Sequence, residues 1–118
     1  MMKHILIVDD HPGIRLLLEE IFKLEGYNVT TASSGKETLK LLESHHFDFL
    51  IIDQHLPDIK GIQIINTMAT KPNIIPVILI SGLTTNLHTF KEQHAFIKAV
   101  IEKPFNVKVL LEIINDTL

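Results

Sequence analysis

Phe49-Leu50-Ile51-Ile52 is the stretch that most constrains this fold. Four consecutive apolar residues are too few for a helix, and aromatic and β-branched side chains favour a pleated strand. With no polar residue in alternation, both faces of that strand must be covered, as happens in parallel sheets flanked by helices. The run stops at Asp53, and Pro57 blocks a return to regular structure. A carboxylate at the carboxyl end of a core strand stands where open α/β sheets bind ligands. Alone, Asp53 would serve equally well as a turn residue or as the cap of the next segment.

The start of the chain repeats the pattern. Ile5-Leu6-Ile7-Val8 is a second continuous apolar run, ending in Asp9 and Asp10. In a doubly wound sheet the first and third strands are neighbours, so Asp9, Asp10 and Asp53 converge on one crevice. Three carboxylates there repel one another unless a cation joins them. A hard divalent ion suits oxygen ligands, and Mg²⁺ takes one or two carboxylates together with waters and phosphate oxygens. The acidic pair can also cap the helix that follows, with Pro12 in its first turn.

Composition narrows the class. The 118 residues, 46% hydrophobic and 21% charged, describe one globular domain over residues 1–118. The formal net charge of −3 and the lack of a Lys/Arg cluster argue against direct nucleic-acid binding. No cysteine is present, which excludes disulfides, thiolate catalysis and cysteine metal sites. No apolar run reaches membrane-spanning length and no signal peptide is apparent, so no membrane contact and a cytoplasmic location are expected. The seven histidines lack any established ligand spacing and are expected to be scattered over the surface.

Between these strands the helical period appears. Ile14, Leu17, Leu18 and Ile21 predict one buried helix face, ended by Gly26. Tyr27 to Ala32 predicts a strand nearer the sheet edge. Ser34 and Glu37 form a capping-box pattern for a helix carrying Leu39 and Leu42, which ends at His45-His46. Asp58 to Gly61 reads as loop, and Ile62, Ile65 and Ala69 predict a short helix. Pro76 to Ile80 is a fourth core strand, followed by Ser81 and Gly82. Thr85 to His94 predicts a weakly held helix, with Leu87 and Phe90 as nearly its whole apolar face. Ala99 to Ile101 predicts a fifth strand, and Asn106 caps a last helix bearing Val107, Leu110, Leu111, Ile114 and Leu118. The alternation of strand and helix, five times over with short connections, predicts an α/β doubly wound (βα)5 fold.

The strand ends thus offer an acidic pair, a third carboxylate, a hydroxyl and, in Glu102-Lys103-Pro104-Phe105, an ammonium. In this order and at these spacings they resemble the receiver domain of two-component response regulators over the whole chain. Through ILIVDD, GIRLLLEEIF, EGY and EKPF the chain looks most like single-domain receivers of sporulation phosphorelays. The resemblance implies a flavodoxin-like parallel sheet in order 2-1-3-4-5 with helices on both faces. It also implies that Asp53 is the phosphoacceptor, taking a phosphoryl group from a phosphohistidine. Asp10, Asp53 and the backbone carbonyl of His55 match the ligands of Mg²⁺, with Mn²⁺ as an alternative, and Asp9 matches an acid acting through water. Lys103 matches the cation that pairs with Asp53, Ser81 matches the hydroxyl that bonds a phosphoryl oxygen, and Lys103-Pro104 matches a cis peptide. Phosphoryl transfer asks mainly for positioning and charge stabilisation, so a metal, a lysine and a hydroxyl around one carboxylate suffice.

Several residues depart from the family pattern. Val100 replaces an aromatic residue whose ring moves inward on activation, Phe96-Ile97 replaces Gly-Ala, Gly82 replaces Ala, and Lys60 stands where an acidic or small residue is usual. His55 and Leu83 occupy positions that shape the access of water to an acyl phosphate. The expected partners are a sensor histidine kinase or histidine phosphotransferase, met through Gly13, Ile14, Leu17, Leu18 and nearby loops, and a downstream protein. No output domain is expected, and the chain is expected to be a monomer or a weak phosphorylation-dependent dimer. The alternatives are a degenerate receiver that only binds proteins, argued for mildly by Val100, and a small Mg²⁺-dependent phosphohydrolase. The latter lacks a cap and has His55 as a poor stand-in for a second acid.

Overall fold

The computed structural model describes residues 2–82 and 87–118. In chain order the elements are β1 (His4–Val8), α1 (Pro12–Leu24), β2 (Asn28–Ala32), α2 (Gly35–Ser44), β3 (Phe49–Asp53), α3 (Gly61–Ala69), β4 (Val77–Ser81), α4 (Leu87–Glu92), β5 (Ile97–Glu102) and α5 (Val107–Thr117). All strand pairs are parallel, in the order β2-β1-β3-β4-β5. The doubly wound order that the resemblance implied is therefore the observed one.

The three central strands are apolar without alternation because each side chain has its own layer to enter. Leu6, Val8, Leu50, Ile52, Val77 and Leu79 pack on one side with Ile64, Ile65 and Met68 of α3, the leucines of α2, and Leu87 and Phe90 of α4. Ile5, Ile7, Phe49, Ile51, Ile78 and Ile80 point the other way, onto Leu18 and Phe22 of α1 and Leu110 and Ile114 of α5. Each fully buried Leu, Ile or Phe contributes roughly 1.5–3 kcal/mol, so both layers are needed.

Two helices, α1 and α3, differ in part from expectation in which face is buried, whereas the expected apolar residues of α2, α4 and α5 pack on the core. In α1 the residues out of water are Leu18 and Phe22, whereas Leu17 is 48% exposed and Ile14 and Ile21 are half-buried. In α3 the buried set is Ile64, Ile65 and Met68, with Ile62 at its margin. A helical stripe fixes a period but not its phase, and both helices are rotated by about a residue from the assignment the period suggested. Gly26 follows α1 with φ of +94°, a left-handed conformation that glycine adopts without penalty. Ser34 caps α2 by accepting from Glu37 N, while the Glu37 carboxylate reaches back to Ser33 N rather than to Ser34 N.

β5 begins two residues earlier than expected and carries an irregularity. Val77 pairs with Ile97 but Ile78 pairs with Ala99, so Lys98 is bulged out of the ladder. The irregularity lies inside β5, directly after Phe96-Ile97, where the sequence departs from the family pattern. The helix expected from Thr85 is described from Leu87, and Thr85 itself lies outside the described residues. Among the described residues no helix is long and apolar enough to cross a membrane.

Candidate functional site

The site is assembled from the carboxyl ends of β1, β3, β4 and β5. Asp9 follows β1 and its backbone N–H donates to Ala32 O at 3.2 Å, which extends the β1–β2 ladder by one residue. Its carboxylate turns inward, is 4% exposed, and accepts from His11 N at 2.8 Å. The next residue, Asp10, is exposed at the rim. The cap of α1 is neither acid but His11, whose Nδ1 accepts from Ile14 N at 3.3 Å. The acidic pair is thereby left free of the capping role that the sequence also allowed.

Asp53 ends β3 with its carboxylate 4% exposed, and Oδ1 accepts from His55 N at 3.1 Å. One carboxylate oxygen each from Asp9, Asp10 and Asp53 lies within 4.8 Å of the others. Lys103, directly after β5, closes the crevice: Nζ is 2.8 Å from Asp53 Oδ2 and 3.3 Å from Asp9 Oδ2. Its backbone N donates to Ser81 O at 2.9 Å, and the Lys103-Pro104 peptide is cis, as the resemblance implied. Ser81 is fully buried at the end of β4, with Oγ 3.3 Å from Nε2 of His55. All six expected site residues are thus gathered at one end of the sheet. Nothing can be said of Leu83, which lies outside the described residues.

The electrostatics follow from burial against charge. Burial raises the Asp9 pKa; the Asp53 carboxylate adds to the rise, and the His11 N–H bond and Lys103 only partly offset it. For Lys103 burial works downward, but the hydrogen bond and charge of Asp53, with those of Asp9, outweigh it and hold the ammonium above its ordinary value. One ammonium facing three carboxylates leaves a net negative crevice of hard oxygen donors, which suits a divalent cation.

Three supporting residues were not singled out in the sequence. The Arg15 guanidinium donates to Asp9 O at 2.7 Å and fixes the peptide that carries the acid. Gln54 is buried beside Asp53, donates through its backbone to Ile80 O at 2.8 Å, and accepts from Ile62 N at 2.8 Å through its side chain. Gly61 lies so near that a Cβ would stand 2.9 Å from Asp53 O and 3.0 Å from Gln54 Cα. An apparent loop glycine thus permits α3 to start against the end of β3. Asp58 braces the same loop, accepting from Gly35 N at 2.8 Å and Lys36 N at 2.9 Å at the start of α2. Those bonds lower its pKa.

The comparisons agree with this geometry. The family model described as "Response regulator receiver domain" matches residues 5–115. Response regulator SaeR of Staphylococcus aureus is 34% identical over 117 residues, which cover 99% of this chain and 51% of SaeR. The chain therefore spans about half the length of such curated relatives. Among solved structures, response regulator TrrA of Thermotoga maritima, crystallised in complex with Mg²⁺-BeF, superposes with a TM-score of 0.87 at 32% identity, covering 99% of this chain and 100% of TrrA. A CheY-like receiver domain from Methanospirillum hungatei JF-1 gives 0.87 at 31% identity, covering 98% of this chain and 93% of that one. With the fold, the acidic crevice and the family match in agreement, the chain belongs to the response regulator receiver domains of two-component signalling.

Proposed function

We propose that this domain accepts a phosphoryl group on Asp53 from a phosphohistidine of a sensor histidine kinase or histidine phosphotransferase, and signals through protein contacts. The observation that carries the reading is the pairing of Lys103 Nζ with Asp53 Oδ2 at 2.8 Å, in a crevice that Asp9 and Asp10 make strongly acidic. A buried carboxylate held by an ammonium is oriented, which a nucleophile needs.

In the transfer, an Asp53 oxygen forms a bond to phosphorus as the phosphorus–nitrogen bond of the donor breaks, and the departing imidazole nitrogen keeps the electron pair and takes a proton from solvent. Lys103 shifts from the carboxylate to a phosphoryl oxygen, and Ser81 donates its hydroxyl to another. Asp10, Asp53 and the carbonyl of His55 would hold Mg²⁺, or Mn²⁺ in its place, with Asp9 acting through a water. When bound, the ion would neutralise the charge that otherwise repels an incoming phosphoryl group.

The donor's docking surface in this reading is the rim beside Lys103. A groove of about 420 Å³ is lined by Ile14, Leu17, Lys103, Pro104, Phe105 and Val107. Leu17 is exposed there, which suits an apolar helical partner. Leu18, also named as a contact candidate, is a core residue. A cytoplasmic location and a further downstream protein complete the proposal.

The test is intact mass after incubation with Mg²⁺ and a small phosphodonor, with Asp53→Asn alongside. Gain of one phosphoryl group by the parent alone is expected. No gain, with Mg²⁺ binding demonstrated, would turn the reading to a receiver that only binds proteins. Multiple turnover of the donor without accumulation would instead favour a phosphohydrolase.

A further inference from the structure

Receivers with an aromatic residue on β5 have a ring available to follow the hydroxyl at the end of β4. Here Val100, paired in register with Leu79, offers none. Among the described residues, the imidazole of His55 meets the Ser81 hydroxyl, at 3.3 Å. That ring arrives from the β3–α3 loop on the opposite flank of the site, and its own backbone N–H already bonds the Asp53 carboxylate.

The surroundings restrict how this contact can change. On one side of His55, Gln54 N is bonded to Ile80 O at 2.8 Å, and Gly61 N closes onto Gln54 O at 3.0 Å. On the other side, Asp58 is fastened to the start of α2. The backbone is therefore pinned at both ends of the short loop. The His55 side chain, by contrast, is at the surface and can rotate at little cost.

We propose that His55 is a resting-state clasp on Ser81. Ser81 donates its single O–H to His55 Nε2 in the resting protein, and gives that bond up when a phosphoryl group on Asp53 claims the same proton. A hydroxyl has one hydrogen, and phosphoryl oxygens only accept, so the two partners exclude each other. Engagement of the phosphoryl group then frees the imidazole to swing outward, changing the surface beside Asp53 without an aromatic gate on β5. His55 acts through Ser81 and is a positioning residue. The inference rests on the phosphoacceptor reading for its trigger, but the resting contact stands apart from it.

The experiment has two arms. In the resting protein, long-range ¹⁵N–¹H spectra of the imidazoles should give His55 an unprotonated Nε2 whose shift moves on Ser81→Ala. A protonated Nε2, or ring resonances unchanged by Ser81→Ala, would overturn the clasp whatever the fate of the phosphoacceptor reading. The second arm titrates Mg²⁺-loaded protein with beryllofluoride, an acyl-phosphate mimic. His55→Ala should bind it about three- to tenfold more tightly than the parent, since no clasp has to be released. The gain should vanish when Ser81→Ala is already present, which a merely structural role for His55 would not produce. Equal or weaker binding by His55→Ala overturns the exchange. Failure of the parent to bind beryllofluoride removes the phosphoacceptor reading and the exchange together, while the resting spectra still decide the contact.

Discussion

At the scale of single residues, the site depends on neighbours that carry no chemistry. Gly61 is the clearest, because the two nearest atoms a Cβ would meet are backbone atoms of Asp53 and Gln54, with the Gln54 side-chain Oε1 just beyond them. Gly61→Ala should therefore cost about 1–3 kcal/mol, as overpacking against a backbone does. It should also slow the proposed phosphorylation of Asp53, because the strand end bearing that carboxylate has to shift. Gly82 is the control: it too adjoins the site, but an added Cβ meets nothing within 4 Å among the described residues. Gly82→Ala should stay within about 0.5 kcal/mol of the parent. Urea denaturation of the two variants, with phosphorylation rates beside it, separates close approach from simple proximity. Equal stability of the two would remove the steric argument for Gly61.

At the scale of elements, the strands and the apolar faces of α2, α4 and α5 were legible, and those of α1 and α3 only in part. A strand buried on both sides appears as an unbroken apolar run whatever covers it, so β1, β3 and β4 could be placed within about a residue. In α1 the stripe offered Leu17 and Leu18 alike, and only the packing of α1 on β1 and β3 selects Leu18 and Phe22. Phe22→Ala should accordingly cost about 3–5 kcal/mol. Leu17→Ala should change stability by no more than about 0.5 kcal/mol, while weakening any partner that uses the groove. Chemical denaturation of both variants checks the rotation of the helix directly. The site was legible for a related reason: its charged groups stand where apolar runs break off. Gln54, Gly61 and Arg15 were missed because their roles depend on contacts between separate elements, and no local pattern marks them.

A second element-level feature is the clamp that sets β1 beside β3. His4 N donates to Asp48 Oδ2 at 2.8 Å, and Asp48 N returns a bond to His4 O at 2.7 Å, one step before the ladder proper begins at Ile5 and Phe49. The bond from His4 N is the largest influence on the Asp48 carboxyl and, despite partial burial, lowers its pKa; His46 and Lys3 act in the same direction. A carboxyl whose pKa is lower in the folded than in the unfolded chain adds stability that is complete above the unfolded value of about 3.9 and is lost as pH falls through the folded value. Asp48→Ala should therefore cost about 1–2 kcal/mol near neutral pH. The gap from the parent should narrow as pH falls below about 4. Denaturation midpoints across that range give the answer, and a gap independent of pH would mean that packing, not the charged clamp, is what Asp48 supplies.

For the whole molecule, a divalent ion bound in the crevice would couple metal binding to folding. Asp9, Asp10 and Asp53 come from two separate strand ends, and their oxygens meet within 4.8 Å only when β1 and β3 are paired. The unfolded chain has no such cluster, so a divalent ion held there binds the folded state alone and stabilises it by mass action. At a hundredfold excess of Mg²⁺ over its dissociation constant the gain is about 2.7 kcal/mol, and it should appear as a higher melting temperature. Chelation should reverse it fully, since among the described residues the core is complete without the ion and no buried side-chain nitrogen or oxygen lacks a partner. Asp10→Asn tests the source of the effect cleanly, because Asp10 is exposed and holds none of the bonds that fix β1 or α1. That variant should melt no lower than the parent in chelator, since it relieves repulsion among the three acids, yet lose most of the Mg²⁺ response. If Mg²⁺ raised the melting temperature of parent and Asp10→Asn alike, the ion would be acting elsewhere on an acidic chain, and the crevice would not be its site.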